Sequence, residues 1–207
     1  MKNKYLLTAL AVVSFGVAAQ ASTITWNFLE NGANVELGDS ASFTESGITL
    51  TAYGFTTANV ATHLYAKDSG LGEQGLGIAS DGAEHEINNL NYVQLALTTT
   101  PAANLTSLFF NSVQSGETAA IYYSAVLGSL GVKVGSITSD STFDITPYLT
   151  GYIGVTSEGV QGYNDPNVLI TSVTGTTIDR VPDGGTTVAL LGGALMGLGL
   201  LKRKFLA

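Results

Sequence analysis

The chain predicts an all-β fold, an antiparallel two-sheet sandwich of jelly-roll-like type, on three observations. Short apolar–polar alternations of period two recur along most of its length. No window carries an apolar stripe at helical spacing. Gly and Thr abound while only 12% of residues are charged, a composition suited to many short strands joined by turns. A β-helix competes, but it needs a fixed internal repeat and none is found.

The elements follow in order. Ile24, Trp26 and Phe28 alternate with Thr23, Thr25 and Asn27, and Asn31-Gly32 marks the turn after them. Ile48 to Tyr53, Tyr92 to Leu97, Leu105 to Phe110 and Ala119 to Val126 repeat the pattern. So do Val132 to Ile137, Tyr152 to Thr156 and Val168 to Val173, all rich in β-branched and aromatic residues. Between them, Leu64 to Asn89 is the longest stretch without clear alternation, and it concentrates glycines and acids. It is expected to be a solvated acidic loop crossing one end of the sandwich.

The two ends of the chain read differently from this middle. Lys2 and Lys4, an apolar core from Tyr5 to Val17 and the small residues Ala19 and Ala21 form a secretory signal peptide over residues 1–21, cleaved by signal peptidase after Ala21. At the other end, Val181-Pro182-Asp183-Gly184-Gly185-Thr186-Thr187 precedes an apolar run and then Lys202-Arg203-Lys204. Residues 184–201 would rise about 27 Å as a helix, close to the roughly 30 Å of a hydrocarbon core. Residues 181–207 are therefore expected to hold a single transmembrane helix with a cytoplasmic basic tail at 202–207. Residues 22–180 remain as the exported domain.

Composition narrows the function. The whole chain has 8 basic and 16 acidic residues, net −8. Only Lys67, Lys133 and Arg180 lie in the exported part against all the acids but Asp183, so that part carries about −12. A surface of this sign repels nucleic acid and suits divalent cations or neutral glycans as partners. With no cysteine, a Cys nucleophile, a Cys-based zinc site and an iron–sulfur cluster are excluded. His63 and His85 are the only histidines and form no H-E-x-x-H pair.

No catalytic residues are assigned and the chain is expected not to be an enzyme. Gly38-Asp39-Ser40-Ala41-Ser42 lacks the last Gly of a G-x-S-x-G elbow and has no strand leading into it. Glu84 and Glu86 would share a face if extended, with His85 opposite, in the manner of a glycosidase pair. No cofactor is expected. Calcium is the one candidate, with Asp68, Asp81, Glu84 and Glu86 as oxygen ligands, although their spacing fits no EF-hand. Tyr122, Tyr123, Tyr148, Tyr152 and Tyr163 offer either a sugar platform or half-buried core.

The tail resembles the C-terminal sorting signal of the PEP-CTERM class, in its VPDSG-CTERM variant, on the motif Val181-Pro182-Asp183-Gly184-Gly185, the apolar run and the basic stop. Gly184 stands where the variant's name has Ser. Gly75 to Ile78, Asp81-Gly82, Glu86-Ile87-Asn88 and Gln94 to Leu97 also resemble a region common among exported domains with this tail. The resemblance implies an exosortase substrate, anchored in the inner membrane until a cut frees it to the cell surface or an exopolysaccharide matrix. A secreted carbohydrate-binding module and a polysaccharide hydrolase are the alternative activities.

Overall fold

A computed structural model describes residues 21–29, 32–70, 72–80, 82, 84–97, 103–148, 150–159, 166–177, 190 and 192–197. The chain divides into two compact units, residues 21–178 and the two ends, 1–20 with 179–207.

The central unit is all-β. Its strands are β1 (Thr23–Asn27), β2 (Val35–Gly38), β3 (Ser40–Glu45), β4 (Ile48–Thr56), β5 (Leu64–Asp68), β6 (Gln74–Ile78) and β7 (Asn91–Leu97). They continue as β8 (Ala103–Phe110), β9 (Thr118–Ser124), β10 (Val132–Ile137), β11 (Ser141–Asp144), β12 (Tyr152–Glu158) and β13 (Ile170–Thr177). Two antiparallel sheets result. Sheet A runs β11-β8-β13-β6-β5-β2 with β1 also paired to β13, and sheet B runs β10-β9-β12-β7-β4-β3.

Alternation explains which face is buried. In β1, Ile24 and Trp26 point inward while Thr23, Thr25 and Asn27 stay exposed, because side chains alternate across a pleated strand. Trp26, Phe28, Phe43, Leu50, Leu95 and Phe110 are fully or almost fully buried in one core between the sheets. Each such side chain contributes roughly 1.5–3 kcal/mol by leaving water. Phe28 meets Phe43 edge to face at 4.9 Å, and the Trp26 indole N–H donates to the Ile48 carbonyl at 3.1 Å. That donor would otherwise be buried unpaired.

Every strand read from the sequence is present, most with ends shifted by a few residues. β2, β3, β5, β6 and β11 were not expected. β3 had a legible signal, since Ala41 and Phe43 alternate with Ser42 and Thr44 before a two-residue turn at Ser46 and Gly47, φ 51° and 77°. Positive φ at both positions matches the twist of a tight hairpin.

The expected acidic loop is the main correction. β5 and β6 lie inside it as a hairpin, with Lys67 paired to Gly75 and Leu64 to Ile78. Leu64, Ala66, Leu76 and Ile78 are buried. The glycines that suggested a loop admit neighbouring backbone instead. A Cβ on Gly77 would stand 2.0 Å from the His85 carbonyl oxygen, and one on Gly75 would stand 2.5 Å from that of Ile170. A strand covered this closely on its face needs hydrogen there, so its sequence loses the alternation that marks other strands.

In the terminal unit, residues 190 and 192–197 are helical. Among the described residues no helix is long and apolar enough to cross a membrane. The remainder of the expected span at 184–201, the motif Val181 to Gly185 and Ala19 lie outside the described residues. Ala21 is described, and is exposed.

Candidate functional site

The acidic segment builds a buried ion pair. β5 carries Lys67 on the face opposite Leu64, where the segment after β6 covers it until it is 5% exposed and brings Glu86 to it at 3%. The Ile87–Val168 bridge fixes that segment beside the strand start at residue 170. Lys67 Nζ donates to Glu86 Oε1 at 2.5 Å, with Glu73 at 3.3 Å and Glu84 at 3.9 Å. Burial outweighs the opposing pull of the Lys67 ammonium and leaves the Glu86 carboxyl raised to about 7. At Lys67 burial acts to lower the ammonium, but Glu86 and Glu73 outweigh it and hold it above its ordinary value. The two partners thus respond oppositely to one contact, and desolvation of the carboxylate is the larger effect.

Glu117 extends the network. Its carboxylate accepts from the backbone N–H of Gln114 at 2.7 Å and of Asn167 at 3.4 Å. Burial nonetheless raises it, with help from Glu73 and Asp140.

Two of the expected calcium ligands, Asp68 and Glu86, have partners within the protein. Glu86 is committed to Lys67, and Glu84 is an exposed side chain at the edge of the same contact. Asp68 accepts from Gly70 N and from Gln74 Nε2 at 3.1 and 2.7 Å. Asp81 lies outside the described residues. Among the described residues no three His, Cys, Asp or Glu gather where a metal ion could sit.

The glycosidase-like pair is not assembled either. His85 has φ of 55°, so residues 84–86 are not an extended strand, and the buried Glu86 is out of reach of a polymer. Gly38 to Ser42 does follow a strand, β2, contrary to expectation. Ser40 then opens β3 rather than a helix, so the strand–turn–helix of a nucleophile elbow is absent.

His63 sits in an open cleft of about 390 Å³ with Glu36, Asp39 and Ser80. Its Nδ1 meets Glu36 and its Nε2 lies 3.3 Å from Asp39; Glu36 raises the imidazole against a lesser opposing effect of desolvation, and Asp39 adds the smallest push upward. A second cleft of about 310 Å³ lies by Glu73, Asn111 and Asp140.

The four described tyrosines are half-buried. Tyr123 and Tyr148 stack at 5.5 Å against the core. Tyr122 donates to Glu158 at 3.0 Å, beside the Lys133–Glu158 pair, and Tyr152 is half-buried. Tyr163 is outside the described residues.

The exposed ring that the sequence did not single out is Phe109. It stands 38% exposed on the outer face of sheet A, beside Ser172 of β13 and Thr142 of β11. Two further rows cross the same face, Thr23–Thr176–Asn104 and Thr25–Thr174–Ser107. The Thr174 hydroxyl lies 3.1 Å from that of Thr106 and also bonds Ser107. Phe109 escaped notice because Leu108, Phe109 and Phe110 form an apolar run with no visible alternation. The bulge at Thr106, between Ser107 and Leu105 in the pairing with β13, resets the alternation and turns Phe109 outward.

No curated protein and no solved structure matches this chain. One family model does match, over residues 180–205, and it covers Val181, Pro182, Asp183, Gly184 and Gly185. The chain therefore ends in a VPDSG-CTERM motif, a C-terminal sorting signal of PEP-CTERM type that implies export and a sorting enzyme as partner.

Proposed function

We propose that this is a non-enzymatic envelope or matrix protein whose tail is removed by an exosortase-type protease. The observation that carries the reading is the VPDSG-CTERM match at residues 180–205. Pro182 biases Val181 to an extended conformation, and Gly184-Gly185 keep the backbone thin, which suits a peptide offered to a protease at a membrane surface. The apolar run and Lys202-Arg203-Lys204 would hold the tail in the inner membrane with its end in the cytoplasm until the cut. The exported domain then stays at the cell surface or in extracellular polysaccharide.

A structural role suits the domain because its strongest polar cluster is built for pairing. Lys67 and Glu86 satisfy each other out of solvent, and a group that cannot touch substrate cannot act on it. Mass spectrometry of the mature C-terminus tests the reading in the native host, against a strain lacking the sorting enzyme. A C-terminus between Val181 and Gly185 that depends on the enzyme is expected. An intact tail ending at Ala207 in both strains would make the protein a permanently anchored ectodomain.

A further inference from the structure

We infer that the outer face of sheet A around Phe109 is a binding surface for an extended, neutral polysaccharide. This deepens the matrix reading above and rests on it for the setting.

Three observations meet on this face. The first is charge: β1, β8 and β13 contain no charged residue, in a chain of net −8. The acid within the edge strand β11 is Asp144, opposite Ser107, and it is occupied by Thr146, whose backbone N–H donates to it at 2.8 Å. A polyanion gains nothing from such a face and is repelled by the rest of the domain. A neutral polymer meets neither obstacle.

The second observation is chemical. Phe109 offers an exposed aromatic ring, flanked by the hydroxyls of Ser172 and Thr142. The C–H face of a pyranose packs on such a ring, and hydroxyls at its edge can both donate to and accept from the sugar. The third is shape. Rows of Thr, Ser and Asn repeat at the strand spacing of about 4.8 Å, and neither cleft is lined by these residues. A flat, repeating, hydroxylated surface suits a chain laid along it better than a single sugar enclosed in a pocket.

The test uses protein purified from its host, retained on cellulose and on insoluble mannan, with alginate as the anionic probe. Retention on at least one neutral polymer and none on alginate is expected. Phe109→Ala should weaken retention about tenfold, the loss of one stacking contact, with a cooperative melting transition retained because the ring is already 38% exposed. Leu127→Ala, which removes an equally exposed apolar side chain, should leave retention unchanged. Failure of the wild type on both neutral polymers would overturn the inference, as would equal retention on alginate or equal loss in both variants. Tail processing is read separately by mass, so a correctly processed protein that does not bind sinks this inference alone. A bound but unprocessed protein sinks only the sorting reading.

Discussion

Sheet A has two unlike halves. Across β8, β13 and β1 one face buries Leu108, Val173 and Trp26 and the other turns uncharged side chains outward, with the alternation broken only at the bulges between β8 and β13. Across β5 and β6 the alternation is lost, glycines are buried, and an ammonium and a carboxylate meet inside the protein. The first half is held by apolar area and tolerates change on its open face. The second is held by close backbone approach and one ion pair, so each of its parts is needed by another.

Substitutions should expose this asymmetry, the largest effect being at Lys67. Lys67→Met leaves Glu86 buried without its cation, at a cost of about 3–5 kcal/mol at pH 7.5 by denaturant unfolding. The loss should shrink at pH 5, where Glu86 is protonated, and Lys67→Met with Glu86→Leu should recover most of it. A double variant no more stable than the single one would show that the pair is not the source of the cost.

Next comes Gly77→Ala, whose new methyl would overlap the His85 carbonyl. It should cost about 3 kcal/mol, near the upper end of overpacking. Thr174→Val in the other half removes hydroxyl contacts to Thr106 and Ser107 and should cost only about 1 kcal/mol. Equal losses at the two positions would erase the distinction between the halves.

A smaller effect is the response to pH. Glu86 titrates at about 7 in the folded protein, above its ordinary value of 4.5, so its contribution is fully present below 4.5 and is lost as pH rises through 7. Glu117, raised by burial, and His63, raised by Glu36, act in the same direction. The melting temperature should therefore rise by about 2–4 °C between pH 8 and pH 5, the equivalent of roughly 1 kcal/mol in a domain of this size. Below that range Glu158, lowered by Lys133, and Asp144, lowered by Thr146, lose their contributions as they protonate. Stability that climbs steadily from pH 5 to 8 would contradict the burial of Glu86.

The smallest expected effect is that of chelator. With Glu86 bound to Lys67 and Asp68 to Gly70 and Gln74, EDTA should leave the melting curve unchanged. A drop reversed by added calcium, growing as ln(1 + [L]/Kd), would place a ligand set in the acidic half after all.

The sequence by itself determined the all-β class, because strands with one buried face must alternate, and β1 and β10 can be read directly from Ile24-x-Trp26 and Val132 to Ile137. It determined the sorting motif as well, since the match over residues 180–205 is a match of linear sequence and needs no fold for Val181-Pro182-Asp183 to be read. Tertiary structure alone decided the β5–β6 hairpin, where burial by neighbouring backbone favours Gly75 and Gly77 over apolar side chains. It also decided the fate of Glu86, whose acidity depends on being enclosed with Lys67 from 19 residues away. Phe109 belongs to the same class: a bulge in the pairing with β13, invisible in a run of Leu and Phe, selects which ring of the strand meets solvent. Local periodicity is written in each segment, whereas desolvation and strand register arise only when distant segments come together.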